Sequence, residues 1–440
     1  MIQAVRRRFA FLSILRYRDY RIYYVGLLFS VTSHQGLLAA QGWLVFDMTG
    51  EPAALGYVAA AQAVPAIALN LFAGALADRM DPRKMILIGE SAAAVVTGAL
   101  AVIVITGGVE VWHIVVASFL AGIGLSFDQP SRRVVWPALI PRDQYVSGTA
   151  LNQGVWHGTR VIAPAIATGI IAIVDSTTGD ARLGAGIALL VISGGFLAMA
   201  LAIMAVKLPP MKRATGATVL HDIKDGLQFV VQHRIFLMLL GLSFAVGYFG
   251  LSYQWLLPAL AKEVLGRGPQ GLGMLMSASG VGGVIGLFVI ASFGRNHQSP
   301  WQLGGGAAAF GVAIIGLGFA GEAGMFEVAL LLAAFAGALY GFFQIAANTM
   351  MNLLVPTEYR GRVMGLRGIM WSLSPLGALQ AGLIASFVST PFAIALGGVA
   401  ILVVFGLAFA LSSELRNVRA LVAEADAAAT NVERELATGG

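Results

Sequence analysis

Long apolar stretches separated by short polar segments run along nearly the whole chain. Twelve of them are long enough to cross a bilayer, since a helix needs about 20 apolar residues to span a hydrocarbon core of about 30 Å. The pattern predicts spans at residues 22–46, 53–77, 85–107, 111–130, 148–174, 183–206, 235–260, 271–293, 302–320, 327–352, 363–388 and 391–411. These stretches are too long and too continuously apolar for the strands of a membrane barrel. The predicted fold class is an all-α membrane protein.

The second half of the chain repeats features of the first half at corresponding places. Leu55 and Gly56 open the second span, and Leu272 and Gly273 open the eighth. Transporters contain parallel repeats of this kind, related by an axis along the membrane normal. We therefore expect two pseudo-symmetric six-helix bundles. The predicted segments are an N-terminus at 1–21, a bundle at 22–206, a linker at 207–234, a bundle at 235–411 and a tail at 412–440.

The loops between the predicted spans alternate between rich and poor in basic residues. Most of the 28 Lys and Arg residues fall on one side of the predicted membrane, Arg132, Arg133 and Arg367 among them. Three fall on the other side, namely Arg182, Lys262 and Arg267. Because Lys and Arg accumulate in cytoplasmic loops, both termini are expected in the cytoplasm, as in a multi-pass protein of a bacterial inner (plasma) membrane. The basic charges are dispersed, so they do not indicate a nucleic-acid partner.

Composition supports the membrane class and excludes several kinds of chemistry. Apolar residues make up 58% of the chain and charged residues 11%, and the mean hydropathy is +0.81, far from a soluble domain. The absence of Cys excludes disulfides, thiolate nucleophiles and cysteine metal sites. No Walker-type loop, metal-ligand cluster or nucleophile triad occurs. We expect no enzyme activity, cofactor or metal, and an ion gradient as the energy source.

The most informative motif is the charged segment between the second and third spans, GALADRMDPRK at residues 74–84. It resembles the loop signature of the major facilitator superfamily at Gly74, Asp78, Arg79, Arg83 and Lys84. Asp81 stands where that signature usually has a second Gly. The resemblance implies that Asp78 contacts the start of the eleventh helix near Arg362 and holds the cytoplasmic gate shut in the outward-open state. For Arg83 and Lys84, a solvated positive-inside loop is an equal alternative.

Three further segments resemble the enterobactin exporter branch of that superfamily. They are FLSILRYRDYRIYYVGLLFS near the N-terminus, PALIPRDQYVSGTALNQ before the fifth span and DGLQFVVQHRIFLMLL at the entry to the seventh. Members of this branch mainly export siderophores, drugs or other small metabolites. The linker also has apolar residues at helical spacing, which predicts an amphipathic helix within 207–234 lying along the bilayer surface.

Arg160 lies near mid-depth in the fifth span, where an ionised side chain is costly unless it is paired or faces water. His157 lies on the same helical face, and His34 lies at comparable depth in the first span. A cluster of this kind could bind an anionic or catecholate-like group, or pass a proton. The alternative is a structural Arg and neutral core His residues.

Two carboxylates within the spans are candidates to carry a coupling proton. Asp128 lies toward the cytoplasmic end of the fourth span with Arg132 one turn later, which also permits a simple local ion pair. Glu90 follows Lys84 by six residues and could instead reach the interface. His157 is a third candidate.

A polar stripe in the tenth span is formed by Gln344, Asn348 and Asn352, each one turn from the next, and it should line a cavity or a helix contact. In the superfamily that the chain resembles, helices one, four, seven and ten line the cavity. The candidate lining residues, some of which could instead bind helices together, are His34, Gln41, Gln129, Arg160, Ser252, Tyr253, Gln344 and Asn348.

These features predict a secondary transporter that exports a small amphipathic molecule (a siderophore, drug or metabolite) by alternating access. Proton antiport follows from the resemblance and the topology, although Ala163 precedes Pro164 where the antiporter signature has Gly-Pro. The expected partners are a small-molecule substrate, protons and the lipid bilayer, and we expect a monomer. The alternatives are an importer or facilitator of a small solute, and a gradient-independent lipid scramblase or transporter-like receptor.

Overall fold

The computed structural model describes residues 10–77, 81–208, 219–292 and 300–412, and within these ranges the regular structure is helical throughout. In the first half of the chain the α-helices are α1 (Arg18–Thr49), α2 (Pro52–Ala77), α3 (Pro82–Ile105), α4 (Val111–Ala138), α5 (Tyr145–Thr178) and α6 (Ala181–Ala205). The linker contains α7 (Val219–Gln232). The second half contains α8 (Arg234–Ala245), α9 (Ser252–Ala259), α10 (Pro269–Ser292), α11 (Pro300–Glu322), α12 (Phe326–Leu354), α13 (Thr357–Ser372), α14 (Ser374–Phe387) and α15 (Thr390–Leu411).

Ten helical segments in the described ranges are long and apolar enough to cross a membrane. Two predicted spans fall outside this set, the first, which corresponds to α1, and the eleventh, which corresponds to α13 and α14. The helix α1 is 32 residues long and has Asp19 in its charged first turn. The helices α13 and α14 meet at Leu373, where Pro375 enters the first turn of α14 and cannot donate a backbone hydrogen bond. The membrane helical bundle is confirmed, and the count of twelve spans stays a prediction.

The helices pack into two groups that meet along two helix pairs. In the first half, α6 packs on α1 and α3, and α4 packs on α2 and α3; in the second, α12 packs on α10 and α11, and α11 packs on α15. The two halves meet where α5 crosses α10 and where α2 crosses α14. We call these two crossings the half interface.

The seventh predicted span is a helical rod, residues 234–264, with two wider turns of π-helix at Val246–Gly250 and Leu260–Val264. A π-turn inserts a residue into the helix and changes where the following side chains point. Tyr253 follows the first of these turns and hydrogen-bonds Ser279 of α10 over 2.8 Å. Lys262 lies within the second turn and reaches across to the first half of the chain.

The linker helix α7 packs on α13 at the end of the bundle where α1 begins. Its Phe229 ring stacks on Tyr359 with a centroid distance of 4.2 Å, and Asp225 pairs with Arg362 over 3.5 Å. Phe229 and Val230 are buried, whereas the neighbouring Leu227 is exposed. The predicted amphipathic helix therefore corresponds to α7, with one face against the second half and another uncovered.

The half interface depends on glycines at the points of closest approach. A Cβ atom added to Gly280 of α10 would lie 2.7 Å from the backbone carbonyl of Arg160 in α5. A Cβ added to Gly56 of α2 would lie 2.8 Å from Cα of Leu379 in α14. The opposing atoms belong to the backbone and cannot rotate away, so only glycine permits these crossings. The contact at Gly280 also fixes the depth at which Arg160 lies.

Replacing Gly280 with Ala should destabilise the protein by forcing α5 and α10 apart. The Gly154→Ala variant is a matched control, because Gly154 lies in α5 with no atom within 4 Å of its added Cβ and gains the same helix propensity. We expect Gly280→Ala to be less stable than Gly154→Ala by about 1–3 kcal/mol, the usual range for overpacking. Thermal and denaturant unfolding of the purified variants measure the difference, and equal stabilities would contradict the close crossing.

Candidate functional site

A cavity of about 720 Å³ lies between the two halves of the bundle. The first half lines it with Gln35, Arg133, Gln153, Trp156, His157 and Arg160, among others. The second half contributes Ser243, Gln254, Ser279, Tyr340, Gln344, Asn348 and Arg367, among others. Its volume is typical of binding sites for drug-sized molecules. Such sites combine apolar walls with a few polar groups. We call it the central cavity.

The central cavity extends toward one end of the bundle. We call the end where α1 begins and α15 ends the terminal end, and the opposite end the far end. Asn348 and Thr349 lie in the last two turns of α12, and Met364 and Arg367 lie in the first three turns of α13, so these lining residues are all near the terminal end. Toward the far end the halves touch, with Gly382 of α14 against the backbone of Pro52. The conformation is closed at the far end.

Three charged residues bridge the halves at the far end. Asp47, near the end of α1, accepts a hydrogen bond from Arg182 of α6 over 3.0 Å and another from Lys262 in the second half. The Lys262 ammonium also lies 5.4 Å from the centre of the Trp43 ring, within cation–π range. Side-chain exposure is 17% for Asp47 and 38% for Lys262, so water screens the pair in part. We call Asp47, Arg182 and Lys262 the far-end latch.

A second group of charges lies inside the first half, away from the central cavity. Arg132 of α4 pairs with Asp128 one turn earlier and with Glu90 of α3. Ser30 of α1 accepts a hydrogen bond from Arg132 and donates one to Glu90, both over 2.7 Å. Glu90, Asp128 and Arg132 are 4–6% exposed. We call these four residues the buried charge cluster; it binds α1, α3 and α4 together.

The buried charge cluster corrects two expectations. Arg132 is not a loop residue of the basic side, because its guanidinium is enclosed among three helices. Glu90 does not reach the interface but lies beside Arg132. The local ion pair expected between Asp128 and Arg132 is present, and Glu90 shares the same guanidinium.

The cluster contains two carboxylates and only one guanidinium. Oε2 of Glu90, Oδ1 of Asp128 and Nη1 of Arg132 are buried with no hydrogen-bond partner among the described residues. A cavity of about 30 Å³ adjoins the cluster, which is room for about one water molecule. Both carboxylates therefore share a single cation.

Trp156 lines both the small cavity and the central cavity. His34 and Gln129 line the small cavity beside the cluster, and the His34 ring meets the Trp156 ring edge to face at 6.5 Å. Trp156 is therefore the shared wall between the buried charges and the central cavity.

The remaining predicted lining residues divide between the central cavity and the protein interior. Arg160, Gln344 and Asn348 line the central cavity, as does His157, which was predicted as a proton-coupling candidate and not as a lining residue. The other three are buried. Gln41 accepts a hydrogen bond from Ser118 of α4 and Tyr253 bonds Ser279 of α10, whereas Ser252 donates to the Phe249 carbonyl of its own helical rod. The order of residues along a helix does not show which face turns inward, so these three could not be separated from the others by sequence.

Two arginines of the central cavity, Arg133 and Arg367, were missed because they were counted among the basic residues on one side of the predicted membrane. Arg367 lies in the third turn of α13 and donates to the side-chain oxygens of Gln344 and Asn348, both over 2.9 Å. Arg133 is exposed and lines the cavity from α4. The polar stripe of the tenth span was a signal for Arg367, since two adjacent amides suit a guanidinium partner.

Part of the signature loop can be followed in the structure. Arg83 donates to the backbone carbonyls of Ile203 and Met204 at the end of α6, where a cation is favoured by the helix dipole. Asp81 stands where the signature usually has a second Gly. It accepts a hydrogen bond from the Arg83 N–H over 2.9 Å and caps α3. Lys84 is exposed, and Gly74 lies in α2. Asp78 and Arg79 lie outside the described residues, so the latch expected at Asp78 stays a prediction.

Among the described residues, no three His, Cys, Asp or Glu side chains are grouped so that they could hold a metal ion.

Comparisons with known proteins identify the family of the chain. Residues 10–439 match the sequence family described as transmembrane secretion effector. The multidrug efflux pump Tap of Mycolicibacterium fortuitum is 26% identical over 356 residues, which are 79% of this chain and 84% of that protein. The macrolide efflux protein A of Streptococcus pyogenes is 22% identical over 335 residues, or 75% of this chain and 79% of that protein.

A solved D-xylose-proton symporter shares the fold. Its TM-score is 0.68 at 14% identity, and the match covers 90% of this chain and 97% of that chain. The predicted major facilitator fold is confirmed.

Replacing Asp47 with Asn should weaken closure at the far end, because the neutral amide loses its attraction to Lys262 and Arg182. For a partly exposed ion pair of about 1 kcal/mol, the population open at the far end should rise by up to about fivefold. The chain has no Cys, so spin labels on Thr178→Cys and Gln270→Cys report the distance between the halves at this end.

The matched control for the latch is Asp175→Asn. Asp175 lines the same far-end surface and has no ion pair to the other half among the described residues. An unchanged distance distribution in Asp47→Asn, or an equal change in the control, would show that the latch does not hold the far end closed.

Proposed function

The chain belongs to the transmembrane secretion effector family of the major facilitator superfamily, and on this premise we propose that it exports a small amphipathic molecule in exchange for protons. It is a secondary transporter and a multi-pass membrane protein, not an enzyme. The observation that carries the proposal is the central cavity, which lies between the two halves and extends toward one end only. A closed far end and a cavity extending toward the terminal end are what one state of an alternating-access cycle requires.

The proposed cycle uses one crossing of the half interface as its pivot. In the state described, substrate enters from the terminal end, which we take to be cytoplasmic on the basis of its basic loops. Rocking of the halves about the contact at Gly280, near the middle of α5 and α10, then breaks the far-end latch, separates α2 from α14 at the far end and exposes the cavity on the other side. The names of the two relatives, both efflux proteins, support this direction of transport.

Proton coupling is assigned to the buried charge cluster. With both carboxylates ionised the cluster carries one net negative charge, and with one proton bound it is neutral. The neutral, singly protonated form of the cluster is favoured in its buried position, because an uncompensated charge inside a bundle costs free energy. Proton binding and release at Glu90 and Asp128 therefore change the energy of the first half. His157 lines the central cavity, apart from these carboxylates.

The shared wall at Trp156 links the proton site to the substrate site. A molecule in the central cavity contacts the same indole that closes the small cavity beside the cluster. Displacement of the indole would admit water to Glu90 and Asp128. Occupation of one site would thus alter protonation at the other, which is the coupling that an antiporter needs.

The proposed coupling is tested in proteoliposomes that enclose a pH dye, challenged with siderophores, dyes and antibiotics under an imposed pH gradient. The wild-type protein should move protons when at least one compound is transported. Glu90→Gln and Asp128→Asn should each abolish substrate-linked proton movement, because an amide cannot take up a proton. Downhill exchange of the same compound should persist.

The matched control is Glu51→Gln, which removes an exposed carboxylate between α1 and α2. Proton exchange that continues in both cluster variants would exclude the cluster as the coupling site. Wild-type transport that is unaffected by collapse of the pH gradient would instead favour a facilitator.

A further inference from the structure

The charges that line the central cavity are all of one sign. Arg133, Arg160 and Arg367 face it, and no Asp or Glu occurs among its described lining residues. Guanidinium groups stay protonated in proteins, so these charges are permanent. The cavity is positive unless a ligand neutralises it.

Arg160 is the deepest of the three, and its side chain has no hydrogen-bond or ion-pair partner among the described residues. Within the described part of the chain, no hydrogen bond or ion pair is made by its side chain, and its atoms are not among the buried unsatisfied groups. Its backbone is held by the contact with Gly280, and the next carbonyl, that of Val161, accepts a hydrogen bond from Ser277 over 2.7 Å. A rigid backbone therefore presents an unpaired guanidinium to the cavity.

Arg367 is held in position but not neutralised. Its two terminal nitrogens donate to the amide oxygens of Asn348 and Gln344, both over 2.9 Å. These amides carry no charge, so they orient the guanidinium and leave its positive charge in the cavity. An oriented guanidinium with further free N–H groups is suited to bind a carboxylate or phosphate group.

The three arginines lie at increasing depth from the terminal end. Measured along their own helices at 1.5 Å per residue, Arg133 is about 8 Å from the end of α4, Arg367 about 15 Å from the start of α13 and Arg160 about 22 Å from the start of α5. An anion entering at the terminal end would meet Arg133 first and Arg160 last. The arrangement attracts anions along the entry path and holds them at mid-depth.

The carboxylates that could offset this charge lie elsewhere. Glu90 and Asp128 are paired with Arg132 behind the Trp156 wall. The apolar part of the central cavity comes from Leu38, Leu257, Met276, Leu287, Ile345 and Met364.

We infer that the substrate is an amphipathic organic anion, with a carboxylate, sulfonate or phosphate group near Arg160 and Arg367, and that cationic compounds are disfavoured. This inference rests on the proposed function, because it takes the central cavity as the substrate site.

Two dyes that share a xanthene scaffold test the inference, the anion carboxyfluorescein and the cation rhodamine 123. Their binding to the protein in neutral-lipid nanodiscs is followed by fluorescence anisotropy. Carboxyfluorescein should bind at least about tenfold more tightly than rhodamine 123. Its affinity should fall as salt is added, since salt screens the attraction.

The arginine variants show whether the preference comes from the cavity. Arg160→Gln should weaken carboxyfluorescein binding by about tenfold and leave rhodamine 123 binding unchanged or stronger, whereas Arg160→Lys should retain the preference for the anion. The matched control is Arg142→Gln, because Arg142 is exposed in the turn before α5 and does not line the cavity. Arg367→Gln provides a second cavity variant if Arg160→Gln does not fold.

Three results would overturn the inference. They are equal or tighter binding of rhodamine 123, unchanged anion binding in both cavity variants, and no carboxyfluorescein binding at up to about 1 mM. A transport assay separates this failure from failure of the proposed function. Binding of the anion without transport under any gradient would refute export and leave the anion site standing. Gradient-driven export of rhodamine 123 in preference to carboxyfluorescein would support export and refute the anion site.

Discussion

Lipid offers no partner for a charged side chain, and this constraint decides where the ionisable groups of the bundle lie. The described residues satisfy it in three ways. Glu90 and Asp128 pair with Arg132 inside the first half. Arg160 faces the central cavity, and Lys262 meets Asp47 at the far end. Each arrangement suits a different proposed task, namely proton binding, substrate binding and closure between the halves.

Arg132 and Arg133 show how strongly helix geometry separates these tasks. They are neighbours in sequence, yet successive residues of an α-helix point about 100° apart. Arg132 turns into the first half and is buried by Ser30, Glu90 and Asp128, whereas Arg133 lines the central cavity. One turn of α4 therefore contributes both to the buried charge cluster, the proposed proton site, and to the central cavity, the proposed substrate site. Trp156 lies between the two, which gives the proposed coupling a short physical path.

Much of the fold and part of the site could be predicted from sequence. Apolar length alone predicted the helical bundle, and the cost of burying Arg160 predicted that it faces the interior, where the structure puts it beside the central cavity. Contacts between distant segments could not be predicted in this way. The partnership of Asp47 with Lys262 joins residues from different halves, and Glu90 meets Arg132 only because α3 packs on α4. Sequence could not decide between the two alternatives for Gln41 for a related reason, since its hydrogen-bond partner Ser118 lies on a neighbouring helix.

Alternating access requires strong interactions within each half and weak ones between the halves, and the charges follow this rule. Breaking a buried ion pair by removing one partner costs about 3–5 kcal/mol, so the buried charge cluster keeps α1, α3 and α4 together during any movement. The far-end latch is partly exposed and contributes about 1 kcal/mol or less, so it can break in every cycle. The half interface adds no interlocking side chains at Gly56 and Gly280, where backbone meets backbone. As far as the charged groups decide it, the proposed rocking of the halves would break the weak, partly exposed pair and leave the buried cluster intact.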